Sequence, residues 1–407
     1  MQVFLYWLKL LWLKLRYRRA SFNSFYSEKK VLILNPNVKT YLSRYFCDSS
    51  DIASLAEVSW ADLIFRRYVF VGLPKKESTN KFKRIFIKFF YPNTSNIRIC
   101  NLMDAIFQSP SNLVMFTPGH HVVEMFQIHF AHNQVFQISD FKKSKRNIFI
   151  YILAKISKRI FLDQEAGRAV FANLVDPFLL KAYRTLHPNK KVILRLHDRY
   201  SEITKNDDYL LLRNTIRSLL SEKVIDIAES YYQKDAERLE IVYRPNGVNL
   251  EFMKTLKRNT SSYLYSFIGG ASRKSRLEEM SEVRQKIRDL YPGVDRFICE
   301  LQFYKTSDFI TYREYLDILA QSEVIVDLYR ISPDEGWSYR IPEALALQKK
   351  IITNRCNLQN QDFYHPSRFF IIGYDPITRL KEFLEAKYEP VSQDIKDKIN
   401  TRYWWNF

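Results

Sequence analysis

From residue 30 onward, short runs of consecutive apolar residues alternate with longer stretches of helical spacing. Val31-Leu32-Ile33-Leu34, Tyr68-Val69-Phe70-Val71 and Leu113-Val114-Met115-Phe116 read as buried strands. So do Ala169-Val170-Phe171-Ala172, Val192-Ile193-Leu194 and Ile241-Val242-Tyr243. Unbroken β-branched and aromatic runs separated by helix-length stretches predict a parallel sheet covered on both faces. Pro245-Asn246-Gly247-Val248 signals a turn, and the polar stretch from Lys254 to Ser262 is the best linker candidate.

A second series then begins. Tyr265-Ser266-Phe267-Ile268 reads as a strand ending in Gly269-Gly270, followed by a charged helical run from Lys274 to about Leu290. Arg296-Phe297-Ile298-Cys299, Val324-Ile325-Val326-Asp327 and Lys350-Ile351-Ile352-Thr353 are the further strands, with helices at Tyr312 to Gln321 and Ile341 to Leu347. Pro376 to Tyr388 reads as a last helix, and Tyr403-Trp404-Trp405-Asn406-Phe407 as an aromatic tail that packs. The expected fold class is α/β: two doubly wound units facing a cleft.

Composition narrows the function classes. The chain has 407 residues, a length that suggests two or three domains, and 46% of the residues are hydrophobic, which excludes extensive disorder and supplies a large core. Cys47, Cys100, Cys299 and Cys356 stand far apart without a C-x-x-C pair and read as free thiols in a reducing compartment. The net charge of +19 calls for acidic partners: nucleotide phosphates, nucleic acid or an anionic membrane.

The amino terminus bears on that choice. Residues 3–17 are rich in Leu, Trp, Phe and Tyr, with Lys9 and Lys14 inside and Arg16, Arg18 and Arg19 following. The run is too interrupted to span a bilayer, which takes about 20 apolar residues. Its charges also follow the apolar run, the reverse of a signal peptide. A helix lying in the membrane interface is expected over 1–24, with Trp7 and Trp12 at headgroup level. The other reading is a first helix packing on its own domain.

The stretch richest in chemistry is Asp334-Glu335-Gly336-Trp337-Ser338-Tyr339-Arg340-Ile341-Pro342-Glu343. Pro342 suits a first helical turn, which would set Glu343 at the helix start. Seven residues separate Glu335 from Glu343, one carboxylate in a loop and one on a helix, both able to face the carboxyl ends of the strands. Arg340 has two readings, a phosphate ligand or an ion-pair partner of Glu343.

This segment resembles the C-terminal domain of GT-B glycosyltransferases, in the retaining group marked by an E-x7-E pair and found in bacterial capsule, lipopolysaccharide and exopolysaccharide synthesis. The resemblance implies that Glu335 meets the donor sugar, Glu343 the nucleotide ribose, and Gly336 and Ser338 the donor through their backbone. Phe267-Ile268-Gly269-Gly270 followed by Arg273, Lys274 and Arg276 looks like that family's diphosphate turn, chemistry that a helix start and guanidinium forks suit. Leu194-Arg195-Leu196-His197-Asp198 resembles its strand-end histidine, which puts His197 at the donor sugar, and Arg244 to Asn249 its domain-closing turn. The likeness covers about residues 190 to 375; Gln348 departs from it, where the family often has glycine, and Asn35-Pro36-Asn37-Val38 lacks the family's glycines.

The divisions that follow are 1–24, a membrane-interface helix; 25–252, an acceptor-side Rossmann-like domain; 253–385, a nucleotide-sugar domain; and 386–407, the tail. The implied substrates are a nucleotide-sugar donor and a glycan or lipid-linked acceptor. The enzyme would work at the cytoplasmic face of the membrane, without cofactor or metal. His129 and His132 share a helical face, but no carboxylate or cysteine completes a metal shell with them. No Asp-x-Asp occurs, which argues against a metal-dependent GT-A enzyme.

Alternatives are an inverting GT-B enzyme or a sugar-phosphate transferase, with Asp140, His120 or His121 as base. A non-catalytic subunit of the same fold is a third. Phe82 to Phe90 interleaves aromatic and basic residues as RNA-binding chains do, but no RNA-binding signature accompanies it, and no nucleic-acid partner is expected.

Overall fold

A computed structural model describes residues 144–173, 175–196, 207–256, 262–270, 280–303, 310–328 and 337–404, with the short pieces 30–33, 68–71, 106–107, 113–117 and 134–137 and scattered single positions. The fold is α/β, and every strand pairing described is parallel. β1 (Lys30–Ile33) and β2 (Tyr68–Val71) form a two-stranded sheet.

A six-stranded sheet holds β3 (Leu113–Thr117), β4 (Gln134–Gln137), β5 (Gly167–Ala172), β6 (Lys190–Leu196), β7 (Ile227–Ser230) and β8 (Val242–Tyr243), in the order β4-β3-β5-β6-β7-β8. The third sheet has β9 (Tyr263–Gly270), β10 (Ile298–Phe303), β11 (Ser322–Asp327), β12 (Lys350–Thr353) and β13 (Phe369–Ile371), in the order β10-β9-β11-β12-β13.

Residues 1–120, 134–194 and 215–226 make one compact unit, and 121–133, 195–214 and 227–407 the other. In the first, α1 (Ser144–Phe161) precedes β5 and α2 (Pro177–Leu186) follows it. Asp176 caps α2, accepting from the Phe178 and Leu179 amides at 3.0 Å, and Pro177 takes the first helical position, where its missing N–H costs nothing. α3 (Asp207–Ser221), divided between the units, and α4 (Gln233–Leu239), in the second, flank β7 in sequence.

The second unit adds α5 (Leu250–Thr255), α6 (Ser281–Leu290), α7 (Tyr312–Ala320), α8 (Arg340–Leu347), α9 (Leu380–Glu385) and α10 (Gln393–Ile399). Strand alternation sorts the third sheet's side chains into two cores. Tyr265, Phe267, Val324, Val326, Ile352 and Phe370 pack with Val283 and Ile287 of α6 and Leu380 and Phe383 of α9. Ile268, Ile325, Ile351, Phe369 and Ile371 pack with Leu316 and Leu319 of α7, with α8, and with Ile395 and Ile399 of α10. Helices therefore cover both faces, which is why these strands read as unbroken apolar runs.

Several details differ from the sequence reading. The helix expected over 376–388 is a 3-10 turn at Ile377–Arg379 followed by α9 at Leu380–Glu385. The strand expected at 296–299 begins at Ile298, because Gly293, at φ 80, starts a 3-10 turn over Val294–Phe297. Strands β4, β7 and β13 were not anticipated: Gln134–Gln137 and Ile227–Ser230 mix polar with apolar positions, and Phe369–Ile371 is only three residues long. At the amino terminus the described positions among 3–11 are helical, with Val3 and Leu10 buried and Phe4 and Leu8 exposed. Trp12 lies outside the described residues. Among the described residues no helix is long and apolar enough to cross a membrane.

Candidate functional site

The chain passes from β9 outward to β10, then returns across β9 to β11. The boundary between β9 and β11 is thus a topological switch point, the crevice where open α/β sheets bind ligands at their carboxyl ends. Gly270 ends β9 there and Asp327 ends β11.

Arg340, the first residue of α8, bridges the two strand ends. Its Nη2 donates to the Ile268 carbonyl of β9, and its Nη1 lies 3.5 Å from Asp327 Oδ1. Asp327 has a closer partner in Arg355, whose Nε donates to Oδ2 at 2.8 Å. Burial pushes the Asp327 carboxyl up, but the Arg355 and Arg340 charges outweigh it and hold the group below its ordinary value. Of the two readings open for Arg340, the ion pair runs to Asp327 and not to Glu343.

Glu343 occupies the first turn of α8, one residue after Pro342, and is fully buried. Both its oxygens are taken by phenols of α7. Tyr312 donates to Oε1, and Tyr315 donates to Oε2 at 2.6 Å. Burial pushes the Glu343 carboxyl up to about 7, although both phenols and the Arg340 charge favour its ionised form.

The chain of hydrogen bonds extends further. His129 Nδ1 accepts from the Asn249 amide at 3.3 Å, and Nε2 lies 2.6 Å from the Tyr312 hydroxyl. Burial pushes the imidazole down to about 3, so it is neutral near pH 7. With Nδ1 accepting, Nε2 carries the proton and donates to Tyr312, whose own proton goes to Glu343. His129 also stacks on Tyr339, with centroids 5.5 Å apart and planes 5° from parallel. Both its ring nitrogens are thus engaged by protein groups.

A second polar knot lies at the end of β6. Arg195, wholly buried, donates to Glu229 Oε1 of β7 at 2.7 Å, while Arg244 Nε donates to Oε2 at 2.7 Å. Arg195 also reaches Asn246 Oδ1 at 3.2 Å, and Asn246 Nδ2 donates to the Trp337 carbonyl at 3.1 Å. Trp404 of the tail lies beneath, its ring centroid 4.8 Å from the Arg195 guanidinium carbon. Beside this knot opens a cleft of about 610 Å³, bounded by Tyr243, Trp337, Tyr403 and Trp404 with Asn360 and Gln361.

Of the residues singled out from sequence, Gly270 ends β9 at the switch point, Arg340 bridges the strand ends there, and Glu343 follows in the first turn of the same helix. Ser338 closes the turn into α8, its carbonyl accepting from the Ile341 amide at 3.2 Å. Glu335, Gly336, His197, Arg273, Lys274 and Arg276 lie outside the described residues, as do His120, His121, His132 and Asp140. Tyr312, Tyr315, Asp327, Arg355 and His129 were not assigned to the site. The i,i+3 spacing of the two tyrosines on one helix was the signal available for them.

No protein-family model matches the chain, and no curated protein matches it. Among solved structures, an alpha-glucosyltransferase in complex with UDP is 12% identical at a TM-score of 0.40, over 67% of this chain and 91% of its own. Anabaena HepE in complex with UDP is 11% identical at 0.37, over 72% and 92%. A glycosyltransferase from Rickettsia africae ESF-5 is 11% identical at 0.40, over 75% and 87%. At 11–12% identity and TM-scores of 0.40 and below, these proteins stand too far from this chain to assign its chemistry.

Proposed function

We propose that the protein is a glycosyltransferase of the GT-B type, moving a sugar from a nucleoside-diphosphate donor to a glycan or lipid-linked acceptor in bacterial surface-polysaccharide synthesis. The observation that carries this reading is Arg340 bridging the strand ends at the β9/β11 switch point, with Glu343 three residues on at the start of the same helix. An arginine at that crevice suits a diphosphate. Because Arg355 already neutralises Asp327 at 2.8 Å, the looser 3.5 Å contact of Arg340 is the one a donor phosphate exchanges for its own. Gly270 and the basic turn Arg273, Lys274 and Arg276 complete the phosphate side in this reading, while Glu335, Gly336, Ser338 and His197 face the sugar.

Glu343 is the ribose partner. With no exposed surface and both oxygens occupied, it takes a ribose hydroxyl by exchange. Tyr312 is held by His129, so the half-buried Tyr315 is the phenol that gives way. The carboxylate's hydrogen-bond count is then unchanged, and its desolvation is compensated in both states.

Catalysis is electrostatic. The bond between the sugar's anomeric carbon and the phosphate oxygen breaks, and cations stabilise the departing diphosphate. The acceptor hydroxyl forms the new bond on the same face, and its proton passes to the leaving phosphate. No metal ion enters these steps. The enzyme sits at the cytoplasmic face of the membrane through its amino-terminal segment, whose Phe4 and Leu8 are exposed.

Calorimetric titration with UDP, GDP, ADP and CMP tests the donor site, repeated with Glu343→Gln. One diphosphate is expected to bind, and the variant to lose about tenfold or more in affinity, roughly one charge-assisted hydrogen bond. Absence of binding to every nucleotide by the folded wild type overturns the reading.

A further inference from the structure

α1 carries apolar side chains on two separate faces, roughly a third of a turn apart. Ile150, Leu153, Ala154, Ser157 and Phe161 are buried and fall on one side of the helix. That side is fixed to its surroundings: Asn147 Nδ2 donates to Asp176 Oδ2 at 2.7 Å, and Tyr151 lies against Phe178 of α2, ring centroids 6.2 Å apart. On the other face Ile152, Ile156 and Ile160 follow one another at i, i+4 and i+8, and they are 45%, 67% and 38% exposed. A helix needs only one apolar face to join a core, and among the described residues this second stripe joins none. Lys155 and Arg159 are exposed beside it, and the eighteen residues of the helix include no Asp or Glu.

We propose that this outer face of α1 docks on an anionic lipid bilayer, with the three isoleucines entering the headgroup–acyl boundary and Lys155 and Arg159 meeting lipid phosphates. The chemistry matches: branched aliphatic side chains with flanking cations, on a helix too charged to span, lie in the plane of an interface. The long basic side chains reach up to the headgroups while their stems remain apolar. A second copy of the chain fits poorly. A two-fold pairing of this face would set Lys155 and Arg159 against their own counterparts, with no acidic residue on the helix to answer them. The net charge of +19 favours the same acidic surface. This contact is separate from the nucleotide site and does not depend on the glycosyl-transfer reading.

The test is co-sedimentation of the full-length protein with vesicles of POPC alone and of POPC with 30% POPG. Wild type is expected to partition onto the POPG vesicles, more weakly as salt rises. The double variant Ile152→Ser/Ile156→Ser should partition on the order of tenfold less, from the apolar area withdrawn. Lys155→Gln/Arg159→Gln should lose most of the preference for POPG over POPC. All four side chains are exposed, so circular dichroism and nucleotide titration of the variants should match wild type. Sedimentation of both variants equal to wild type overturns the proposal and leaves the amino-terminal segment as the whole membrane contact. Failure of wild type to bind POPG vesicles overturns it as well, as does a light-scattering dimer that the isoleucine variant converts to monomer. Loss of nucleotide binding in wild type would count against the donor site alone.

Discussion

Tyr315 donates its phenol hydrogen to Oε2 of Glu343 at 2.6 Å, closing one side of a carboxylate that Tyr312 closes on the other. A buried carboxylate oxygen needs a donor, and leaving one without a partner costs stability until another group supplies it.

If a ribose hydroxyl replaces Tyr315, then Tyr315→Phe removes the competitor. Its apo state keeps a buried oxygen one donor short, and ligand binding supplies that donor. The variant should bind the preferred nucleoside diphosphate several-fold more tightly while losing about 1 kcal/mol of apo stability. The 2′,3′-dideoxy nucleotide should not share the gain. Paired calorimetric titrations check both; equal gains for the two nucleotides would mean that the exchange does not occur.

Glu343 also makes stability pH-dependent. Its folded pKa of about 7 is raised above its ordinary 4.5 by burial. Between those values the folded protein holds a proton that the unfolded chain has released. The contribution is therefore fully present below about pH 4.5 and is lost as pH rises through 7. Unfolding free energies from urea denaturation should fall across that window, by an amount on the order of 1–3 kcal/mol. Glu343→Gln should flatten the slope, and a slope unchanged in the variant assigns the titration elsewhere.

The end of α8 carries a separate strain. Gln348 takes φ 57 and ψ 46 at the carboxyl cap, left-handed geometry in which a Cβ is unfavourable. Gln348→Gly should stabilise by about 0.5–1 kcal/mol, read as a higher denaturation midpoint with unchanged nucleotide affinity.

Much of the third sheet was legible because its strands are buried on both faces and so read as continuous apolar runs. Pro342 and Glu343 were placed correctly in a first helical turn because proline chemistry is local. The partners of Glu343 were not legible. Tyr312 and Tyr315 lie about thirty residues upstream and His129 lies in a segment more than two hundred residues away, and chain spacing does not report tertiary approach. Arg340 was misleading for the same reason: its helical neighbour Glu343 was the local candidate, whereas the residue it meets is Asp327, at the end of the preceding strand.

The turn at 245–248 yields the last prediction. Gly247 lies against the returning carboxyl-terminal segment, where the Val248 amide donates to the Ile399 carbonyl at 2.7 Å and the Thr401 amide to the Val248 carbonyl at 3.0 Å. A Cβ on residue 247 would fall 2.5 Å from both the Ile399 carbonyl oxygen and the Trp404 ring. The backbone oxygen cannot swing away without breaking the Val248 bond, and Trp404 is wedged beneath Arg195. Gly247→Ala should therefore push Trp404 out and uncover the Arg195–Glu229 pair, costing about 2–4 kcal/mol. Trp404→Ala removes the ring while leaving the turn intact, and so lacks the backbone clash. Combined with Gly247→Ala it should cost less than the sum of the two single variants, because the ring half of the clash is already gone. Urea denaturation of the four proteins measures this coupling, and strict additivity would place the steric conflict on the Ile399 carbonyl alone.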